Sequence, residues 1–410
     1  MRELALRAQA ASRRVAVAST DTKNEALLAA ADLLVERTDE IVAANLVDVA
    51  NAESAGTPAP LVDRLRLDAA RVAMMASGLR EVAALPDPVG EVTDGWIRPN
   101  GLDIRRVRVP LGVVAIIYES RPNVTSDAAA LCVKSGNAAF LRGSSSAILS
   151  NTVIAEALRD GMEKSGLPAD AVVLVDDTSR EAAVEFMQQR GLVDCLIPRG
   201  GRSLIKSILD NAAVPYVIDG DGNCHVYVHR DADLDMAARI LVNAKMQRPG
   251  VCNAAESLVV HSDVAGEFIP MAVNVLPGVE LVGDAESCRL STSIGVADVS
   301  DFATEFLDLK MSVKVVDSLD DAISHINETG TGHSEAIITS DLDAAGRFTR
   351  EVDAAAVLVN ASTRFVDGEM FGFGAEIGIS TQKLHARGPL GLQQLTTLKF
   401  VVTGRGQTRP

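Results

Sequence analysis

Aromatic residues are scarce in this chain. Trp, Tyr and Phe together make up 3% of its 410 residues, and there is one tryptophan, Trp96. A core without large rings must be built from Ala, Val, Leu and Ile, which suits parallel sheets covered by helices. Positive charge is in deficit: 39 Lys and Arg stand against 55 Asp and Glu, a formal charge of −16. That balance argues against nucleic acid, which clustered Lys and Arg would bind. No block of like charge stands out, so the acidity reads as a solvated surface. The five cysteines (Cys132, Cys195, Cys224, Cys252, Cys288) are odd in number and scattered, with no CxxC pair. This excludes a disulfide framework and a structural zinc site, and a reducing, cytoplasmic setting is expected. No apolar run approaches the roughly 20 residues a membrane span needs. The first residues carry arginines but no long apolar core, so no signal peptide is expected. The six histidines lack metal-ligand spacing. His225 and His229 would share one face of a strand without a third ligand, and no metal site is expected. There is no G-x-G-x-x-G, no Walker loop and no G-x-S-x-G elbow.

What is there is a strand–helix rhythm. A chain of this length exceeds what one core supports, so two or three domains are expected. Thr22-Lys23-Asn24-Glu25 reads as a capping box opening a helical N-terminal region. A further helix is predicted over Asp68 to Leu85, and an exposed hairpin over Trp96 to Val109. Strands follow at Leu111–Tyr118, Ala138–Leu141, Ala171–Val175, Val193–Ile197 and Val214–Ile218, with helices between them. Such a pattern implies a right-handed parallel sheet that binds ligands at the carboxyl ends of its strands. A second α/β region runs from about Val226 to Leu358. A β-like run, Thr397–Thr403, comes near the end.

Several loops carry chemistry-bearing residues, each with a plainer reading beside it. The run Gln247-Arg248-Pro249-Gly250-Val251-Cys252-Asn253 sets one cysteine on a turn between the helix Leu234–Met246 and the strand Ser257–His261. Proline lacks an N–H and glycine tolerates turn geometry, so the helix must break there. Such a turn suits a nucleophile, although a lone cysteine is most often a small buried hydrophobe. Gly143-Ser144-Ser145-Ser146 and Arg199-Gly200-Gly201-Arg202 offer amides and cations to phosphates, or are ordinary turns. Arg121 and Asn123, at the end of a buried strand, would face a ligand crevice or merely start a helix. Asn360–Phe365 and Lys383–Pro389 would bind an anion or form solvated loops.

Taken together, five strings resemble the gamma-glutamyl phosphate reductase family, a branch of the aldehyde dehydrogenase superfamily. They are YESRPNVTSDAA at 118–129, DCLIPRGGRSLI at 194–205, NAKMQRPGVCNAAES at 243–257, GTGHSEAI at 330–337 and VNASTRFVDGEMFGFGAEIGISTQKLHARGPLGL at 359–392. The resemblance spans nearly the whole chain. It implies an α/β, aldehyde dehydrogenase-like fold with three parts. These are a Rossmann-like NADP-binding domain (1–225, with a return segment at about 359–390), an α/β catalytic domain (226–358), and an oligomerisation hairpin from 97–110 and 391–410. It further implies reduction of L-glutamyl 5-phosphate by NADPH to L-glutamate 5-semialdehyde and phosphate, the second step of proline biosynthesis from glutamate. A homo-oligomer is expected, and glutamate 5-kinase is a possible partner.

By the same resemblance Cys252 is the nucleophile that forms a thioacyl-enzyme. Asn123 and the Cys252 backbone N–H would serve the oxyanion. Glu305 would bind the nicotinamide ribose, Arg142 and Gly200-Gly201 would lie near the adenosine phosphates, and Arg121, Arg364, His385 and Arg387 would surround the acidic substrate. Three departures stand out. Hydrolytic members of the superfamily carry a Glu in an E-L-G-G string where this chain reads Asp219-Gly220-Asp221-Gly222. Arg142-Gly143-Ser144-Ser145-Ser146 lacks a lysine common at that point, and Lys310 sits in a stretch usually more apolar. Two rival readings are a coenzyme A-dependent acylating dehydrogenase and a non-catalytic relative.

Overall fold

A computed structural model describes residues 1–218 and 220–409, apart from the Arg202 side chain. Asp219, one of the departures above, and Pro410, in the expected arm, lie outside the described residues. The chain divides into two compact units: residues 1–218, 373–378 and 390–409, and residues 220–372 and 379–389. The expected boundary at 225 therefore falls earlier. Most of the return segment 359–390 stays with the second unit, because β13 below is hydrogen-bonded into that unit's sheet.

In the first unit, β1 (Val92–Ile97) and β2 (Asp103–Pro110) form a hairpin. Four strands, β3 (Val113–Tyr118), β4 (Ala138–Arg142), β5 (Val172–Leu174) and β6 (Cys195–Arg199), form a parallel sheet in the order β5-β4-β3-β6. Every residue of β3 is buried. Its Val-Val-Ala-Ile-Ile run has helices on both sides to cover it, and each fully buried Val or Ile contributes on the order of 1.5–3 kcal/mol. The helices Thr20–Glu36 and Ile148–Lys164 approach closely, since a Cβ on Gly161 would lie 2.6 Å from the Ala30 Cα. The first of these helices is capped by Ser19, whose hydroxyl accepts the Thr22 N–H at 3.1 Å. The capping box expected at Thr22 thus gives way to an earlier cap. The strand expected at Val214–Ile218 is reduced to a single bridge, Leu196↔Tyr216. Pro215, which has no N–H, contributes only its carbonyl, to Leu196. Near the end of the chain, β16 (Thr396–Thr403) adds to β2 in antiparallel register, Thr396↔Pro110 to Thr403↔Asp103. Beyond Thr396 it is exposed along its length, Leu398, Phe400, Val401 and Val402 included.

The second unit holds seven parallel strands: β7 (Cys224–Val228), β8 (Ala255–His261), β9 (Glu280–Gly283), β10 (Gly295–Val296), β11 (Lys310–Val316), β12 (Ser334–Ile338) and β13 (Ala356–Val359). Their order is β10-β9-β11-β8-β7-β12-β13. A small antiparallel pair, β14 (Ile379–Ser380) and β15 (Gly388–Pro389), completes the unit. His225 lies in β7 and His229 directly follows it. His225 Nδ1 lies 2.9 Å from Glu335 Oε2 and His229 Nδ1 lies 2.9 Å from Thr339 Oγ1, so both are internal hydrogen-bonding groups. Lys310 pairs with Glu280 at 3.1 Å and lies over the Phe306 ring, which accounts for its place in β11. No helix is long and apolar enough to cross a membrane among the described residues.

Candidate active site

Cys252 occupies the turn between the helix Leu234–Met246 and β8, as the break at Pro249-Gly250 predicts, and is half-buried. Three of the other cysteines are shut away from solvent. Cys132, Cys195 and Cys224 are buried, and burial pushes each thiol up, Cys195 to about 12. Cys288 sits on the short helix Ala285–Leu290 with its sulfur 3.4 Å from the Gly295 carbonyl.

Most of the residues around Cys252 precede strands. Gly222 and Asn223 come before β7, Cys252 before β8, Glu305 and Leu307 before β11, and Thr329 to His333 before β12. In this unit the site therefore gathers at the amino ends of the strands. The reason is the connection: the helix Leu234–Met246 runs back along the sheet and delivers its turn to the start of β8.

Three contacts fix the turn. The Cys224 thiol donates to the Cys252 carbonyl at 3.1 Å. Asn253 Nδ2 donates to the Val366 carbonyl at 2.8 Å. Gly222 packs against the Cys252 backbone so closely that a Cβ there would lie 2.8 Å from the Cys252 Cα, and closer still to its carbonyl. The Gly222 N–H donates to Glu305 Oε1 at 2.8 Å, which brings the expected ribose ligand to the nucleophile's own support. Asn223, fully buried, donates to the Phe302 and Thr329 carbonyls at 2.9 Å each and so clamps the same loops.

Beneath the turn lies a fully buried ion pair, Lys245 Nζ to Glu256 Oε2 at 2.6 Å. Glu256 Oε1 also accepts the Leu307 N–H at 3.1 Å, where Leu307 holds φ +56°. Burial pushes the carboxyl up and the ammonium down, so each is drawn toward its neutral form and the shared hydrogen bond sets the balance. This pair joins the helix end before Cys252 to the strand start after it. Sequence reasoning missed it, although a carboxylate in the apolar strand Ala-Glu-Ser-Leu-Val-Val-His was the available signal.

Arg364 also belongs to this neighbourhood. Its Nε donates to Gln247 Oε1 at 2.8 Å. Burial, then the like charge of Arg248, lowers its pKa, opposed by Asp367 and Cys252. By contrast, Arg387 is committed to Asp353 at 2.9 Å, a carboxylate shared with Lys383. That pairing braces the segment 379–389 through one end of the guanidinium. His385 is exposed on that same segment.

The first unit gathers its candidates at carboxyl ends. The order β5-β4-β3-β6 reverses direction between β3 and β6, the switch point where such sheets take ligands. There Glu119 and Ser120 follow β3, and Gly200 and Gly201 follow β6. Ser120 holds φ +44°, a strained value for a residue with a side chain. The Gly201 N–H, at the start of the helix Arg202–Asn211, donates to Glu119 Oε2 at 3.0 Å. A carboxylate thus marks the anion-seeking helix end. Gly200 leaves no room for a Cβ, which would lie 2.7 Å from the same oxygen. These glycines and this helix end fit a cofactor's phosphate. Arg142 fits less well. It is buried, with Nη2 donating to the Thr178 and Ser179 carbonyls at 2.9 and 2.7 Å. It braces the loop after β5 and does not present its charge. Arg121 is half-buried just before the helix Asn123–Lys134, and Asn123 Nδ2 donates to Asp127 Oδ2 at 2.9 Å. Burial pushes the Asp127 carboxyl up to about 6.

A cysteine on a braced turn, in a chain that also carries a parallel sheet with a phosphate-suited switch point, defines a class, and sequence comparison agrees with it. The aldehyde dehydrogenase family profile matches residues 2–299 and 311–401, and the chain belongs to that family. Relatives that match it end to end include the following. A gamma-glutamyl phosphate reductase from Caldanaerobacter subterraneus subsp. tengcongensis is 53% identical over 407 residues, 99% of this chain and 98% of the relative. One from Thermobifida fusca is 54% identical over 411 residues, 100% and 98% of the two chains. The crystal structure of the Thermotoga maritima gamma-glutamyl phosphate reductase superposes with a TM-score of 0.98 at 47% identity, covering 100% of this chain and 99% of the other.

Proposed function

We propose that this chain reduces L-glutamyl 5-phosphate to L-glutamate 5-semialdehyde with release of phosphate, the second step of proline biosynthesis. What supports this is the half-buried Cys252 on its braced turn, in a chain more than half identical, end to end, to reductases of that substrate. The Cys252 thiolate attacks the acyl carbon, the bond from that carbon to the phosphate oxygen breaks, and phosphate leaves. A thioester remains on Cys252. Nicotinamide chemistry is common to the family, and NADPH, when bound, supplies the hydride that reduces the thioester. The resulting hemithioacetal collapses to the aldehyde and returns the sulfur. The Cys252 backbone N–H and the Asn123 amide serve as oxyanion donors; Asn123 has two amide hydrogens and gives one to Asp127. Glu305, held by Gly222, takes the nicotinamide ribose. Gly200 and Gly201 take cofactor phosphates, and Arg121 and His385 serve the substrate's negative charge. Glutamate 5-kinase would supply the labile acyl phosphate. The exposed strand β16 pairs with a second copy of the chain, since an apolar edge of that length invites pairing.

The test is the reverse reaction, followed as NADPH formation from glutamate 5-semialdehyde and NADP. Phosphate-dependent turnover that vanishes in Cys252→Ala is expected. Turnover that needs coenzyme A in place of phosphate, or that survives the substitution, sinks the mechanism.

A further inference from the structure

The second unit contains a cavity of about 330 Å³ lined by Asn243, Gln247, Arg364, Phe365, Asp367, Glu369 and Met370. Two hydrogen bonds stitch its walls to the nucleophile's turn: Arg364 Nε to Gln247 Oε1, and Asn253 Nδ2 to the Val366 carbonyl, both 2.8 Å. The lining is mixed in charge, with one guanidinium and two carboxylates among its residues. That balance disfavours the dianionic phosphate end of an acyl phosphate, which two carboxylates would repel. It suits a group with one carboxylate and one ammonium. A guanidinium fork matches a carboxylate in two hydrogen bonds, and a carboxylate is the ordinary partner of an ammonium. Phe365 and Met370, both exposed, offer apolar surface to a short methylene chain.

We propose that this cavity seats the α-amino acid end of the substrate, with Arg364 holding its carboxylate and Asp367 and Glu369 holding its ammonium. The proposal rests on the glutamyl reading above and adds which end of the substrate enters which wall. Asp367 and Glu369 then set specificity for an amino acid over a plain dicarboxylic semialdehyde. Asp367 Oδ1 also accepts the Glu369 N–H at 2.9 Å, so one side chain shapes the turn that carries the other.

The reverse reaction separates the two ends, because aldehyde and phosphate are independent substrates. Asp367→Asn keeps an acceptor for the turn, and Glu369→Gln alters an exposed residue, so both should fold. Each is expected to raise the KM for glutamate 5-semialdehyde roughly ten- to hundredfold, the worth of one charged hydrogen bond. The KM for phosphate should stay within about twofold. With 5-oxopentanoate, which lacks the ammonium, both variants should match the native chain, while Arg364→Gln should be impaired on both aldehydes. An unchanged KM for the semialdehyde overturns the proposal, as does a lowered KM for phosphate, which would put the phosphate in this cavity. If the native chain shows no phosphate-dependent turnover, the reaction assigned to it fails, and calorimetry still tests the cavity. L-glutamate should then bind more tightly than glutarate in the native chain and not in Asp367→Asn, and equal binding in both refutes the assignment.

Discussion

Gly222→Ala offers the sharpest test of how the nucleophile is held. The new methyl would lie 2.8 Å from the Cys252 Cα and nearer still to its carbonyl, inside the 3.0 Å below which real Cβ atoms are essentially never found. The obstacle is backbone on both sides, so no flexible side chain can give way. The Cys252 turn, or the strand start at β7, must shift by roughly 1 Å, and a misplacement of that size costs about 100-fold in rate. That corresponds to about 2.7 kcal/mol in the barrier. The shift would also disturb the Gly222 N–H bond to Glu305 and the Cys224 thiol bond to the Cys252 carbonyl. The assay is kcat/KM in the reverse reaction, with the rate of thiol alkylation at Cys252 measured alongside. Gly266→Ala is the matched control: it lies in the helix Ser262–Val275 of the same unit and has nothing within 4 Å of the added carbon. It should be neutral or stabilise by about 0.5–1 kcal/mol. Activity in Gly222→Ala within threefold of native would refute the claim that this backbone contact positions the cysteine.

Two further outcomes follow from the same physics. Burial raises the Asp127 carboxyl to about 6, above its ordinary 3.8. The stabilisation tied to its neutral form is complete below about pH 4 and is lost as pH rises through 6, on the order of 3 kcal/mol in all. Asp127→Asn, neutral at every pH, should therefore gain in melting temperature over native at pH 8 and not at pH 4; an equal difference at both pH values contradicts the assignment. On the hairpin, Phe400→Asp places a charge on the exposed face of β16, beside Trp96 at 6.3 Å between rings. Sedimentation should show the native chain larger than the variant, and equal masses would remove β16 from the interface.

Much of the fold was legible because local signals and tertiary packing agree. Helix Leu234–Met246 carries its own cap, the Asp233 side chain accepting the Met236 N–H, and Pro249-Gly250 stops the helical pattern just beyond it. The Cys252 turn was thus readable from the residues around it, and the family from the long strings that flank it. Val214–Ile218 misled because its β-branched pattern is genuine while Pro215 denies it a full ladder. The arginines were legible only as residues, not as contacts. Nothing in the order of residues tells that Arg142 ends on two carbonyls or that Arg387 ends on Asp353. Those are facts of tertiary distance, as is the Lys245–Glu256 pair, whose members belong to different elements.

The threading of the chain through its two units sets the order in which it can be completed. Strand β2 is made well before its partner β16, and the main segment of the second unit lies between them in sequence. The residues of the second unit from 220 to 372 are all made while β2 still lacks that neighbour. A nascent chain therefore carries β2 with one backbone edge unpaired until β16 is made, and sequence-distant pairings of this kind close slowly. A chain interrupted before β16 would hold every residue discussed around Cys252 and leave β2 without its second partner.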